Sequence, residues 1–136
     1  MLFRSEYRSD KGERETIFKN KIVIVHYWSS VTGSHVGDFA QLKRVLELNR
    51  SKGVELVSIC LDDTEAQARQ AVTTTKAVGT HLYQAPSNNA GGLNSPLAIQ
   101  YGIHILPTVF IVGRDGRVTT NSVQIGDLDT ELKKVL

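Results

Sequence analysis

Cysteine is almost absent from this chain, whose 136 residues include only Cys60. A single thiol cannot form an internal disulfide, so no disulfide staples the fold, and cysteine usage does not indicate a cellular compartment. The chain is nevertheless long enough to bury an independent core without disulfides or metals. We therefore expect a single domain over residues 1–136, with residues 1–20 as an N-terminal extension and residues 21–136 as the core.

Strong net charge and long hydrophobic runs are also missing. The formal net charge is only +2, which is too small to indicate binding to nucleic acid or to a membrane surface. No segment has the length of apolar sequence that a transmembrane helix needs. Residues 1–8 are charged where a signal peptide would be apolar. We expect a soluble domain without nucleic-acid or membrane contact, and the abrupt end at residues 133–136 would suit a trimmed domain.

The first half of the sequence alternates strand-like and helix-like segments. A β-branched run starting at Ile22 and continuing to Trp28 is typical of a strand buried on both faces of a parallel sheet. A helix is predicted up to Gly53 from the apolar residues that recur at helical spacing, namely Val36, Phe39, Leu42, Val45, Leu46 and Leu48. Residues 54–61 predict a second buried strand. Residues 62–65 are then expected to cap a helix over residues 64–77.

The remaining segments complete a mixed α/β pattern. Residues 86–93 predict a loop, and Pro96 and Gly102 bracket a short helix. Residues 108–112 predict a third apolar strand, and a hairpin turn at 114–117 leads to its antiparallel partner. A last helix carries Leu128, Leu132 and Val135, and an N-terminal hairpin or strand-turn unit is predicted from residues 3–9 and 13–18. This order predicts a mixed sheet with helices on both faces and right-handed crossovers.

Two motifs give this chain a resemblance to a known family. The first motif is Val-His-Tyr-Trp at residues 25–28, which ends the first buried strand. The second begins with Tyr101-Gly102-Ile103 and continues, after a spacer, with Pro107-Thr108, an apolar strand and Asp-Gly-Arg at 115–117. Over about residues 10–136 the chain resembles the thioredoxin superfamily, and within it the TlpA/ResA-like thiol-disulfide oxidoreductases. The resemblance implies a thioredoxin fold, with a role in redox homeostasis for the family. It also suggests an extracytoplasmic domain of a longer exported or anchored protein.

Residues 28–35 stand where this family carries Trp-x-x-x-Cys-x-x-Cys. Trp28 and Gly33 match the family, whereas Thr32 and His35 replace the two cysteines and Ser34 replaces a proline. A threonine hydroxyl is not ionised at neutral pH and has no redox cycle, so it cannot replace an attacking thiolate. We therefore assign no catalytic residue, and expect Thr32 or Ser34 to cap the helix that follows.

A binding groove is the other feature that the resemblance implies. Pro107 matches the family's cis-proline, which leaves the preceding backbone free to pair with a bound polypeptide. The expected partner is therefore a polypeptide or partner protein on this face, and we expect no cofactor. The groove residues implied by the resemblance are Trp28, Thr32, Gly33, Ser34, His35, Leu106 and Pro107.

The histidines allow several interpretations. We expect His35 in the first helical turn, facing Pro107, where the helix dipole keeps its imidazole neutral. It could donate a hydrogen bond to a bound peptide, act as a base towards Thr32, ligate a metal or be a half-exposed surface residue. His26 stands where thioredoxins carry a buried acid, and we expect a hydrogen-bonded core histidine there. A metal site from His26 and His35 with His81 or His104 lacks a local ligand spacing, so none is assigned.

Three hypotheses about function follow. The first is a thioredoxin-like domain that has lost dithiol chemistry and keeps a peptide-binding or partner-binding groove. The second is an oxidoreductase whose couple is completed by thiols from another domain or chain, since Cys60 lies inside a buried strand and should be inert. The third and weakest is a metal-binding module that uses the histidines.

Overall fold

The computed structural model describes residues 2–4, 20–62, 64–83, 106–120 and 123–136. Short 3₁₀ turns at Ser30–Thr32, Arg50–Lys52 and Ile125–Asp127 accompany the regular elements. The strands in these ranges are β1 (Leu2–Arg4), β2 (Ile22–Trp28), β3 (Val54–Cys60), β4 (Thr80–Tyr83), β5 (Thr108–Val112) and β6 (Val118–Thr120). The helices in the same ranges are α1 (His35–Asn49), α2 (Glu65–Thr75) and α3 (Leu128–Lys133).

The described strands form one mixed sheet in the order β1-β4-β3-β2-β5-β6. The first four strands of this order are parallel to one another, whereas β5 runs antiparallel to both β2 and β6. Strand β2 lies between β3 and β5, and all seven of its residues are buried. A continuous β-branched run is typical of such a central position. The predicted α/β class and mixed sheet are therefore confirmed.

Two strands differ from the sequence prediction. Strand β4 was not predicted, because only four residues form it and they have no extended apolar run. Strand β1 pairs in parallel with β4, so this part of the predicted N-terminal extension joins the sheet. The other half of the predicted hairpin, the loop at 86–93 and the short helix after Pro96 lie outside the described residues.

The sheet separates two hydrophobic clusters. The larger cluster joins one face of the sheet to the buried side chains of all three described helices, including Leu42 and Leu46 of α1, Val72 of α2 and Leu128 of α3. The smaller cluster, on the other face, consists of strand residues and Leu61, with Leu106 and Val112 packed against it. Within the described ranges, helix packing therefore concentrates on the face that carries α1.

Helix α1 is the element that presents the site. Its buried stripe consists of Phe39, Leu42, Val45, Leu46 and Asn49. Val36 and Leu48, which belong to the same helical spacing in the sequence, are exposed. Both lie off the face that meets the sheet. None of the helices in the described ranges is both long and apolar enough to cross a membrane.

Helix α2 begins with a reciprocal capping box. The Thr64 hydroxyl accepts the Gln67 N–H at 3.2 Å, and the Gln67 side chain accepts the Thr64 N–H at 3.2 Å. These two bonds satisfy backbone donors that the helix leaves unpaired at its start. The predicted helix over 64–77 is thus confirmed, with its last residue at Thr75 and Lys76 in the left-handed conformation.

We predict that Gly79→Ala lowers the free energy of unfolding by on the order of 3 kcal/mol. Gly79 has a φ of 93°, and a Cβ there would lie 2.9 Å from the Leu56 carbonyl oxygen, which is backbone and cannot move aside. Gly116→Ala is the matched control, because Gly116 has a φ of 82° but a Cβ there meets nothing within 4 Å. Urea unfolding should show a cost of about 1 kcal/mol for the control. Equal costs for the two variants would contradict the predicted clash.

Candidate functional site

The candidate site begins where β2 ends, in residues 29–35, which we call the motif turn. Its first half is the 3₁₀ turn, where the Ser29 hydroxyl accepts the Val31 N–H at 3.2 Å. Gly33 ends this turn with a φ of 75° and donates its N–H to the Ser30 carbonyl at 3.2 Å. Helix α1 then begins at His35. The two positions that carry cysteine in the family therefore flank the N-terminus of this helix.

A buried carboxylate anchors the motif turn from the end of β3. Asp62 Oδ1 accepts the Ser29 hydroxyl at 2.6 Å and the Ser30 N–H at 2.8 Å, and Oδ2 accepts the Ser30 hydroxyl at 2.7 Å. The Tyr83 hydroxyl donates to the Asp62 carbonyl at 2.9 Å, which ties the same residue to β4. Asp62 is 1% exposed. Hydrogen bonds to a buried carboxylate are strong and costly to lose, so this network fixes the start of the turn.

Sequence reasoning missed this role of Asp62. We had expected residues 62–65 to cap α2 together, but Thr64 makes the cap and Asp62 bonds to residues more than thirty positions earlier. No local pattern identifies such a long-range partner. The one available signal was its place directly after a buried parallel strand, at the sheet edge where the motif turn also lies.

Beneath the turn lies a group of five rings, which we call the aromatic cluster: His26, Trp28, His35, Phe39 and His81. Phe39 makes edge contacts with the other four, at centroid distances of 4.8 Å to Trp28, 5.5 Å to His26, 5.9 Å to His81 and 6.4 Å to His35. Trp28 also stacks on His35 at 5.7 Å and on His26 at 6.5 Å. Such edge and stacked arrangements are the favourable ones for aromatic rings.

The start of α1 is not capped as predicted. Ser34 occupies the N-cap position but its side chain makes no capping hydrogen bond, because its backbone is helical rather than extended. Its side chain instead hydrogen-bonds to Asp38, one turn into the helix. Burial raises the pKa of Asp38, against the lowering effects of this bond and of nearby His35. The side chain of Thr32 lies outside the described part of the chain, so its capping role stays a prediction.

Two histidines of the cluster are buried and lie in one row across the sheet. His26 pairs in register with Ser58 of β3, which pairs with His81 of β4. His26 Nδ1 lies 3.2 Å from the Ser58 hydroxyl, and His81 Nε2 lies 3.2 Å from the Ala77 carbonyl. Burial, followed by the neighbouring His81, lowers the pKa of His26 to about 3. Burial also lowers the pKa of His81, although its hydrogen bonds to the backbone of Ala77 and Val78 act in the opposite direction.

The strand β5 brings Pro107 to the same edge of the sheet. The Leu106–Pro107 peptide bond is cis, as the family resemblance implied. Tyr27 pairs with Thr108 in the antiparallel register, so Pro107 follows on beside Trp28 and the start of the motif turn. Both Leu106 and Pro107 are partly buried. That His35 faces Pro107 directly stays a prediction.

The outer surface of the motif turn is apolar and open. Val31 is 77% exposed and Val36 is 58% exposed, on either side of the two exposed residues Gly33 and Ser34. A Cβ added at Gly33 or Gly37 would meet no atom of the described residues within 4 Å, so none of those residues overlies the surface there. Large exposed apolar side chains at one site are typical of a contact surface.

Cys60 is poorly placed to supply redox chemistry. It lies in β3, in register with Trp28, and is 1% exposed. Burial raises the pKa of the Cys60 thiol, and the negative charge of Asp62 adds to this effect. A thiol that stays protonated and shielded from solvent is not a nucleophile.

The three described histidines are not arranged as a metal centre. In the part of the chain that the structure describes, no group of three or more His, Cys, Asp and Glu residues is arranged to hold a metal ion. His26 and His81 each commit one ring nitrogen to a hydrogen bond. His104, the fourth histidine considered in the sequence, lies outside the described residues.

Comparison with known proteins supports the architecture. Residues 20–118 match the model of a family described as thioredoxin-like. A thiol-disulfide oxidoreductase from Bacteroides fragilis is similar to the chain with a TM-score of 0.77 and 24% identity, over 95% of this chain and 88% of that one. None of the curated proteins matches the sequence.

Two further solved structures show the same likeness. The thioredoxin domain of a thiol-disulfide oxidoreductase from Bacteroides vulgatus has a TM-score of 0.76 and 19% identity, over 89% of this chain and 84% of its own. A thiol:disulfide interchange protein from Bacteroides sp. has a TM-score of 0.69 and 18% identity, over 86% and 74% respectively. At such identities the likeness concerns the fold, and the predicted thioredoxin fold is confirmed.

We predict that Asp62→Ala lowers the free energy of unfolding by on the order of 3 kcal/mol, because it leaves three donors of Ser29 and Ser30 without their acceptor. Urea unfolding followed by circular dichroism measures this cost. The control is Asp115→Ala, since Asp115 is an exposed aspartate that accepts a single N–H from Arg117. We expect a change below about 1 kcal/mol for the control. Similar costs for the two aspartates would count against the anchoring role.

We also predict that stability falls as the pH is lowered from about 6.5 towards 3. The folded state holds His26 neutral down to a pKa of about 3, whereas the unfolded chain binds the proton from its ordinary pKa of 6.5. Acid therefore favours the unfolded state, and His26 alone accounts for up to about 5 kcal/mol across that window. Urea midpoints at pH 7.5, 5.5 and 4.5 measure the effect. His26→Asn cannot bind this proton and should decline less steeply; an unchanged decline would refute the assignment.

Proposed function

Because the chain belongs to the thioredoxin-like family, we propose that it is a binding domain of this family that has no dithiol activity. It takes an extended polypeptide or a partner protein on the motif turn, beside the cis Leu106–Pro107 bond. The observation that carries the proposal is the chemistry of the two motif positions. Thr32 and His35 stand there, while the one cysteine of the chain is buried in β3.

The absence of dithiol activity rests on electron balance. Reduction of a disulfide by this family's mechanism consumes two thiols, which end as a new disulfide, and the attacking group must be a thiolate. The chain has a single thiol. Burial keeps this Cys60 thiol protonated by raising its pKa. Neither the hydroxyl at position 32 nor the imidazole at position 35 can take the place of a sulfur that is oxidised and reduced again.

Exposed apolar side chains and open space at the motif turn support the proposed binding surface. Val31 and Val36 project apolar side chains from both ends of the exposed Gly33–Ser34 corner, and the open space over Gly33 and Gly37 leaves room for a bound chain. An extended peptide binds such an edge through backbone hydrogen bonds, while alternate side chains reach apolar contacts. The Asp62 network and the aromatic cluster hold the turn rigid beneath this surface. A preformed surface lowers the entropy cost of binding.

A rival function is an oxidoreductase completed by thiols from another domain or chain. It shares the fold and the binding surface with our proposal, and the two differ in whether a disulfide is reduced at this surface. Because Cys60 is buried, the rival requires both thiols to come from outside. An activity measurement therefore separates the two only when the protein or domain that supplies the thiols is present, whereas a binding measurement does not separate them.

We predict that the chain does not accelerate the reduction of insulin by dithiothreitol beyond a buffer blank. Thr32→Cys combined with His35→Cys should install measurable reductase activity, because the turn and helix N-terminus that activate a thiolate are in place. The double variant and its single-substitution control should carry Cys60→Ser, so that the introduced cysteines are their only thiols. The single Thr32→Cys variant is the matched control and should stay at the blank. Turnover by the unmodified chain would refute the proposal.

The binding half of the proposal is tested separately, with a permanently unfolded polypeptide such as reduced and carboxymethylated α-lactalbumin. Added to the isotope-labelled chain, it should shift the amide resonances of the motif turn and of the residues around Pro107. Val36→Asp should weaken this binding about tenfold or more. Leu48→Asp, at the opposite end of α1 and 61% exposed, is the matched control and should leave it unchanged. Equal effects of the two variants, or no shifts at the motif turn, would refute the proposed surface.

A further inference from the structure

Three of the chain's four histidines meet at one phenylalanine. Phe39 touches His26, His35 and His81 with its ring edges or faces, and it is itself 3% exposed. Phe39 lies one turn inside α1, whereas His26 and His81 belong to the sheet below. This side chain therefore packs over both imidazoles of the sheet.

The two covered imidazoles keep unused hydrogen-bonding capacity. His26 and His81 are each at most 1% exposed. Each has one partnered nitrogen, yet no residue in the described ranges pairs with His26 Nε2 or His81 Nδ1. The Trp28 Nε1 group, stacked above His26, likewise has no partner among these residues. Buried polar groups without partners each cost free energy, and solvent would supply the missing bonds.

In the described part of the chain, no carboxylate pairs with His26 or His81. The groups on the neighbouring elements are Ser58 and Cys60 on β3, Val109 on β5, His35 and Asp38 on α1, and the apolar residues Ala68, Ala71 and Val72 of α2. The Asp62 carboxylate beyond β3 already accepts three hydrogen bonds from Ser29 and Ser30. Burial lowers the pKa of both His26 and His81, and the neighbouring His81 lowers the pKa of His26 further.

The first turn of α1 is held to the sheet mainly by the aromatic contacts. Ser34 supplies no side-chain cap. Val36 is exposed, and the next residue, Gly37, weakens a helix by about 1 kcal/mol relative to alanine. The following turns are anchored by the fully buried Leu42 and Leu46. A segment with few buried contacts at the end of a well-anchored helix is where local opening costs least.

We propose that the aromatic cluster is an acid-sensitive device: the first turn of α1, with Phe39, leaves the sheet locally when protons bind the histidines that it covers. In the closed state Phe39 excludes water from His26 and His81. In the open state both imidazoles are solvated and take up protons. The motif turn, which precedes this helical turn, loses its fixed shape on opening. The proposal concerns conformation and stands whether or not the face binds a polypeptide.

The sign of the effect follows from proton binding. An imidazole that is neutral when closed and has its ordinary pKa of 6.5 when open favours the open state as the pH falls below 6.5. Each such histidine raises the opening constant by up to about tenfold per pH unit, so two raise it by up to about 100-fold. Asp38 acts in the opposite direction, because burial raises its pKa and acid then favours its closed state.

The indole N–H of Trp28 reports this opening directly. Trp28 is the chain's single tryptophan, it is 1% exposed, and it belongs to the cluster. Its hydrogen exchange, followed by NMR and divided by the intrinsic rate at each pH, gives the opening constant. Backbone amides of β2 and β3 measured in the same samples report global unfolding. We expect the indole N–H to have a larger opening constant than these amides, because it exchanges through local opening. This constant should rise more than tenfold between pH 6 and pH 5.

Substitutions identify the groups responsible. His26→Asn and His81→Asn should each reduce the increase of the opening constant between pH 6 and pH 5 to tenfold or less. The two variants are independent tests, so if one of them does not fold, the other still tests the proposal. Phe39→Leu should increase opening at every pH while leaving the pH dependence unchanged. Three results would overturn the proposal: an indole that exchanges only as fast as the slowest strand amides, an opening constant that does not depend on pH, or a pH dependence that survives both histidine substitutions.

Discussion

The buried Asp62 carboxylate is the contact on which the geometry of this site depends. It joins the end of β3 to the first residues after β2, through bonds to Ser29 and Ser30. None of these bonds involves position 32 or position 35. The motif turn therefore keeps its course whatever residues stand at the two cysteine positions of the family. This explains how a chain of this family can carry other residues at both cysteine positions and keep the shape of the turn around them.

A second set of contacts integrates His35 into the fold. Its ring stacks on Trp28 and meets Phe39 at an edge, so the residue that replaces a cysteine takes part in packing. The same rings cover His26 and His81, which makes the packing of α1 sensitive to protons. The polar network on one side and the aromatic cluster on the other define a site with an exposed apolar rim, in which Thr32 and His35 stand at the two cysteine positions of the family.

The sequence predicted the parts of this structure that leave a local pattern. The apolar run of β2 and the turn between β5 and β6 follow directly from residue order, and the cysteine positions were recognised by family resemblance. Strand β4 escaped prediction because four residues are too few to show a period. Asp62 was mistaken for a helix cap, since the serines that it binds lie far away in sequence. The meeting of His26 and His81 likewise depends on the register of three strands.

The central claim is that the motif turn binds a polypeptide without exchanging electrons with it. Intermolecular nuclear Overhauser effects measure this most directly, between the labelled chain and an unlabelled, cysteine-free unfolded peptide. Our account predicts contacts from the peptide to the Val31 and Val36 methyl groups and to Pro107, although neither partner can form a mixed disulfide. A peptide that contacts only other surfaces, or that binds only when it carries a cysteine, would contradict the account.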